Sequence, residues 1–219
     1  MSIIGVDAVT FGITNQNKAM KFLDHWGLKK MSSGSFGANF VCADGTEVKL
    51  RDYKNKQLPE AIQAGPTVRE VIWGVQKQSD LNKIEKELSK DRKVRILRDK
   101  SLRTYDDMGL GIGFRISQRK ELDPEPLSFN MPGRITRVDK RATFYERAEP
   151  LAISHIVFGV PDCKSIEEFY GRIGFVATDR YYSDRGVFLR ASERGNHHNL
   201  FVMNIGGRKP KFNHVAFKV

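Results

Sequence analysis

Cysteine is scarce in this chain, with two residues, Cys42 and Cys163, in a length of 219. They lie far apart, give neither a metal-finger spacing nor a disulfide framework, and read as reduced thiols of a cytoplasmic protein. Long apolar runs are missing as well. None approaches the ~20 residues that a membrane-spanning helix requires, so a soluble chain with no membrane partner is expected. The opening Met1-Ser-Ile-Ile-Gly-Val-Asp7 has no basic segment followed by an apolar signal core, which argues against export.

Acidic residues are outnumbered: 26 Asp and Glu against 37 Lys and Arg leave a formal net charge of +11. Such a balance invites phosphate partners, chiefly around Lys90 to Arg103 and Arg134 to Arg147. Asp91, Asp99, Asp139, Glu146 and Glu149 interrupt both stretches, and no helix-turn-helix, zinc-finger or RNA-binding signature accompanies them. No nucleic-acid partner is therefore expected. The positive balance suits an anionic small molecule equally well.

Histidine is infrequent too, with five in all, and its placement is informative. His155 opens the apolar run His155-Ile-Val-Phe-Gly-Val160, His198 lies in His197-His-Asn-Leu-Phe201, and His214 opens His214-Val-Ala-Phe-Lys-Val219. A single histidine beside a strand is commonly a satisfied structural residue. Recurrence changes that reading. Ser-His-Ile-Val-Phe-Gly-Val and Asn-His-Val-Ala-Phe-Lys-Val look like one structural position used twice, and imidazoles converging from such positions suit a divalent first-row metal.

The recurrence extends to an internal repeat. Setting Phe158-Gly-Val160 on Phe11-Gly-Ile13 carries Asp162 onto Asn15, Phe169 onto Phe22 and Gly174 onto Gly27 without a gap. Each copy predicts a strand, a turn, an amphipathic helix stopped by glycine, and further strands. In the third copy the strand Ile153 to Val160 leads to Asp162, a helix cap, then a helix bearing Ile166, Phe169, Tyr170 and Ile173. Strands Phe175 to Tyr182, Val187 to Ala191 and His198 to Ile205 follow. In the first copy the expected elements are Ile3 to Ile13, a helix from about Asn17 to Trp26, and strands Phe36 to Cys42 and Val48 to Arg51. The second copy opens with Glu70-Val-Ile-Trp-Gly-Val75, and Ser79 is the expected cap of its helix. A fourth begins at His214.

The fold class is accordingly α+β, with tandem βαβββ modules paired into two domains. Residues 1–120 form an N-terminal domain of two modules, expected to be metal-free. Residues 121–150, with few apolar alternations and many charges, form the interdomain connection, and 151–219 form a C-terminal catalytic domain that stops after the first strand of its second module. The run Gly109-Leu-Gly-Ile-Gly-Phe114 is not a nucleotide-binding loop, because it alternates like a strand and opens no helix. Its glycines instead allow bending or close packing. Ala8 falls opposite His155 and Glu70 opposite His214, so the first domain offers a lone carboxylate; Asp7, next to Ala8, points to the other face.

These modules, the phrase Val160-Pro-Asp-Cys-Lys-Ser-Ile-Glu-Glu-Phe-Tyr-Gly-Arg-Ile-Gly-Phe175, and His-His-Asn-Leu-Phe followed by Asn-His-Val-Ala-Phe resemble the vicinal oxygen chelate superfamily, and within it the type I extradiol ring-cleavage dioxygenases. The resemblance implies that His155 and His214 are metal ligands and that His198 is the acid/base residue. It also implies Fe(II), with Mn, Ni or Zn as alternatives, a catechol-type substrate, O2, and a homo-oligomer. The third ligand of that family, a Glu, comes from a later strand of the fourth module, so the chain reads as a shortened form. Two alternatives stay open: a glyoxalase-type metal-dependent isomerase or lyase, and a metal-free protein that binds an aromatic drug. Metal content separates them.

Overall fold

The structure is a computed structural model and describes residues 1–123, 130–136, 146–193 and 195–219. Residues 124–129 and 137–145 of the expected interdomain connection lie outside the described residues.

Among the described residues two mixed sheets carry the fold, accompanied by three α-helices and a 3-10 turn at Tyr182–Asp184. The first repeat gives β1 (Ile3–Ile13), α1 (Gln16–Trp26), β2 (Lys29–Gly34), β3 (Gly37–Val41) and β4 (Glu47–Asp52). The second gives β5 (Thr67–Val75), α2 (Gln78–Leu88), β6 (Arg95–Ile96), β7 (Leu102–Tyr105) and β8 (Gly111–Ile116). Their strands join in one sheet of order β2-β3-β4-β1-β5-β8-β7-β6. The third repeat gives β9 (Ala152–Val160), α3 (Cys163–Arg172), β10 (Val176–Tyr181), β11 (Gly186–Arg190) and β12 (Leu200–Asn204), and β13 (Lys211–Lys218) follows. These strands form the second sheet, β10-β11-β12-β9-β13. The βαβββ order is thus met three times.

Strands with near-continuous apolar sequence take the centres. β1, β5 and β9 are buried along almost their whole length, because neighbours flank both edges and both faces are covered. The pairing repeats as well as the sequence: β1 lies parallel to β4 and antiparallel to β5, and β9 lies parallel to β12 and antiparallel to β13. Even the register is copied. Thr10 faces Glu70 in the first sheet as Val157 faces His214 in the second.

Local chemistry sets the helix ends. Asn15 Oδ1 accepts the Lys18 amide at 2.9 Å and Asp162 Oδ1 accepts the Lys164 amide at 2.9 Å, while Gly27 and Gly174 turn the chain away at φ 102° and 103°. The second helix departs from expectation. It begins at Gln78 after Lys77, which makes no side-chain cap, so Ser79 lies inside the first turn and caps nothing. Buried Asp80 places a carboxylate at that helix start instead. β2 was also unforeseen: its sequence Lys-Lys-Met-Ser-Ser-Gly is exposed throughout and has no alternation to betray it. Backbone pairing with β3 makes it a strand, helped by Asn39 Nδ2 donating to Ser32 Oγ at 3.0 Å. At the turn between them only glycine fits at position 37, since a Cβ there would stand 2.0 Å from the Leu50 carbonyl oxygen.

The sheets share one continuous apolar core. Trp73 of β5 meets Phe175 and Tyr170 edge-on, with centroids 4.9 and 5.9 Å apart. The buried Tyr170 hydroxyl reaches Asp106 Oδ2 at 2.9 Å, and Asp106 Oδ1 accepts the amides of Met108 and Leu110. Backbone bonds from Ala43 and Asp44 to Pro150 and Leu151, and from Ile153 to Thr46 Oγ1, seat the start of β9 beside the turn before β4.

Two stability measurements test this junction. Tyr170→Phe removes a hydrogen bond to a buried carboxyl group and should cost about 1–3 kcal/mol in urea unfolding. Burial outweighs the donors around Asp106 and pushes its carboxyl from the ordinary 3.8 up to about 7. The native state therefore holds a proton that the unfolded chain has lost, and the stability this group contributes declines as pH rises from about 4 to about 7. Accordingly, the advantage of the parent over Asp106→Asn should shrink across that window; a difference that stays flat would show that Asp106 is already ionised when buried.

Candidate metal centre

The pairing of β9 with β13 builds the site. His155 lies on β9, inside the strand as the expected span Ile153 to Val160 has it, and His214 lies inside β13 rather than at its opening, because β13 already starts at Lys211. Phe212 draws that earlier stretch onto the core, its ring 5.6 Å from Phe11 and 6.0 Å from Phe158. The register slips between Phe212 and His214, leaving Asn213 as an extra residue in a bulge. Bulges re-aim side chains. Here His214 Nε2 comes 3.3 Å from His155 Nε2, with the ring planes inclined by 71°.

The same bulge sets the tautomer of His214. Its Nδ1 stands 2.8 Å from Asn213 Oδ1, an oxygen that only accepts, so Nδ1 carries the proton and Nε2 presents a lone pair. His155 Nδ1 has Ser154 Oγ at 3.4 Å on its far side. Two imidazole nitrogens each about 2.0–2.1 Å from one ion at a tetrahedral angle stand about 3.4 Å apart. The observed pair fits that requirement. Ligation also needs neutral rings, and burial, followed by the charges of His198 and His214, pushes His155 from 6.5 down to about 4.

His198 joins the pair by its ring. Its centroid is 4.2 Å from that of His155, the planes tilted by 42°. It does not lie on a strand, as the sequence led us to expect; β12 begins only at Leu200, and His198 lies in the preceding loop, which Asn199 ends. For that reason His197 does not point away from it by strand alternation. The two rings stand nearly perpendicular with Nδ1 atoms 3.1 Å apart, one donating to the other, and both meet the Phe188 ring edge-on. Burial comes first, then the charges of His197 and His214, in lowering the His198 pKa.

Sequence reasoning passed over the residues that hold the trio. Asn199, buried beside His198, accepts the Ala191 amide through Oδ1 at 3.0 Å and donates from Nδ2 to the Ser154 carbonyl at 3.3 Å. Its own backbone bonds Leu189 and Ile156, so the loop is tied on two sides next to His198. The only signal for Asn199 and Asn213 was an amide adjoining a histidine in each motif. Among the described residues no group of three His, Cys, Asp or Glu is arranged to hold a metal ion. The pair fits two positions of a coordination sphere and leaves the others to different ligands.

In the first sheet the corresponding positions are Ala8 and Glu70. Glu70 is bound in an ion pair with Arg103 Nε at 3.0 Å. Asp7 is the extra residue where the β1–β5 register shifts between Val6 and Ala8, so strict alternation does not govern it, and it is buried against Arg119 Nε at 2.9 Å, Arg115 Nε at 3.1 Å and Ser117 Oγ at 2.9 Å.

No protein-family model matches the chain, and no curated protein matches its sequence. Solved structures do match it in shape. The Mn(II)-bound glyoxalase from Novosphingobium aromaticivorans is similar with a TM-score of 0.70 and 19% identity, over 99% of this chain and 65% of that one. BphC, a halotolerant catechol dioxygenase, gives 0.70 and 14% over 99% of this chain and 70% of its own. An extradiol ring-cleaving dioxygenase from B. fuscum gives 0.72 and 16%, over 99% of this chain and 57% of its own. The chain thus spans only part of the length of each. Likeness at such identities establishes architecture, and the architecture is the α+β vicinal oxygen chelate fold, shared by glyoxalases and extradiol dioxygenases alike.

Proposed function

We propose that this chain carries the metal-binding half of an extradiol ring-cleavage site, acting on a catechol-type substrate with O2. His155 and His214 are its ligands and His198 its acid/base group. The observation that carries the reading is the 3.3 Å approach of two Nε2 atoms, one of them fixed as a lone-pair donor by Asn213. Fe(II) is the metal proposed, because two histidines on one face with open positions suit it, and it supplies a centre where catechol oxygens and O2 meet. A carboxylate is the third ligand this reading requires.

The side chains divide the remaining work. Asn213 stands behind the His214 ring and Ser154 behind that of His155, where a hydrogen bond accepted from each Nδ1 would turn both Nε2 lone pairs to a common point. Burial of His155 keeps it unprotonated at neutral pH, so proton competition for that ligand is weak. His198, its ring tilted against that of His155 and its proton affinity lowered by burial, is placed to take a proton from a substrate hydroxyl and return it later. Phe188, flanking His198, shields that ring from water.

Anaerobic Fe(II) titration followed by oxygen uptake with a catechol tests the reading. Two neutral histidines should bind Fe(II) weakly, and His155→Ala or His214→Ala should abolish that binding. Asn213→Ala, which frees the ligand ring, should cost about 10- to 100-fold in affinity. His198→Phe should keep the metal and lower ring cleavage about 10²- to 10⁴-fold. Metal binding that survives both ligand substitutions would sink the assignment. Turnover of a glyoxalase-type substrate with no oxygen uptake would replace it with the isomerase reading.

A further inference from the structure

The second repeat contains a pocket of about 400 Å³ on the face of β5, β7 and β6, roofed by the loop that follows β4. Its volume is that of a small-molecule site. Lys56 enters from the roof, Lys93 and Arg95 from the edge of the sheet, Arg103 from β7, and Glu70 from β5. Arg95 stands directly opposite Arg103 in the β6–β7 register. Like charges placed so destabilise a sheet unless something negative lies against them. Glu70 neutralises Arg103 alone. Among the described residues no carboxylate lies within ion-pair distance of Lys56, Lys93 or Arg95, so three cations converge without compensation. Basic residues on an edge strand also discourage strand pairing, but that role leaves Lys56, which comes from a different element, unexplained.

The pocket is built rather than incidental. Arg69, 9% exposed, pins the roof by donating from Nε to the Pro59 carbonyl at 2.7 Å and from Nη1 to the Tyr53 carbonyl at 2.9 Å. The glycine run of β8 makes room for it. A Cβ at position 111 would stand 2.5 Å from Pro59, and one at 113 would stand 2.8 Å from the Arg103 side chain. Both glycines therefore let the roof and the guanidinium lie flat on the sheet. Glu70 also holds the register position that His214 holds in the second sheet, so the repeat that brings imidazoles together in one sheet gathers cations in the other. Half-exposed Tyr105, with Leu58 and Leu97, supplies an apolar wall.

We infer that this pocket binds a small phosphate-bearing organic molecule, its phosphates held by Lys56, Lys93 and Arg95 and its apolar part laid against Tyr105. Arginine and lysine together suit a phosphate: one offers a planar fork, the other a compact point charge. The site is independent of the histidine centre and requires no metal.

Calorimetric titration of the metal-free chain with ADP, pyrophosphate, adenosine and citrate tests the inference. ADP and pyrophosphate should bind with one site per chain and weaken as salt rises; adenosine should not bind. Lys93→Glu combined with Arg95→Glu should lower ADP affinity at least 10-fold without lowering the thermal midpoint, both residues being exposed and Arg95 standing opposite Arg103. Lys18→Glu combined with Lys164→Glu changes net charge equally at exposed positions elsewhere and should leave affinity as it was. Equal losses in the two double variants, or no binding of ADP and pyrophosphate by the parent, would overturn the site. Citrate binding as tightly as ADP would overturn the choice of phosphate, and a duplex oligonucleotide outcompeting ADP would overturn the choice of a small molecule.

Discussion

The backbone ladder between β9 and β13 is the constraint on which the candidate centre depends. Nothing else links His155 to His214 along the sequence, and their nitrogens meet only because Val157 faces His214 with one extra residue, Asn213, inserted before it. A slip of one position would send His214 to the opposite face. Register is fixed in turn by Phe212, whose ring sits between Phe11 and Phe158, so a core contact made jointly by both sheets decides where His214 Nε2 points. The bulge adds the second essential element, because it sets an amide beside the imidazole that strict alternation would have turned away.

Much of this was legible in the residues. Repeated spacing from strand to glycine-stopped helix disclosed the modules, and the matching contexts of His155 and His214 disclosed a shared structural position. The same alignment placed Glu70 opposite His214, which the sheet registers reproduce. What escaped was whatever depends on partners distant in sequence. β2 has no apolar pattern and exists through its pairing with β3. Ser79 had the chemistry of a cap, yet the helix starts at Gln78, two residues before the Asp80 that a Ser79 cap would make its first. His198 looked like a strand residue because Asn-Leu-Phe-Val follows it; Asn199 bonds that tie the loop end the strand sooner. The bulge at Asn213 leaves no mark in the local sequence.

Duplication explains why one framework supports two unlike surfaces. Equivalent strands meet in equivalent registers, so the side chain at the position of Glu70 or His214 always looks across at its β1 or β9 partner. Backbone geometry is conserved between the halves, and chemistry is free to differ. One half fills the position with an imidazole and keeps Ala191, Asn199 and Ser154 to stiffen its surroundings. The other fills it with a carboxylate committed to Arg103, and replaces bulk on β8 with glycine so that a basic loop can close over it.

Charge is the step that joins the two surfaces. A divalent ion held by imidazoles alone brings charge that its ligands do not cancel, and desolvating uncancelled charge is costly. Stable occupancy therefore depends on anionic donors, whether a carboxylate or the oxygens of a substrate that gives up its protons there. The acid/base role proposed for His198 belongs to the same balance: a ring next to His155 that took up the proton lost by a substrate oxygen would couple ligand binding to charge neutralisation. The basic pocket carries the mirror-image imbalance: Glu70 in its lining is paired with Arg103, and among the described residues Lys56, Lys93 and Arg95 have no carboxylate at ion-pair distance. In both halves the fold fixes the geometry and leaves part of the charge to be supplied by what binds.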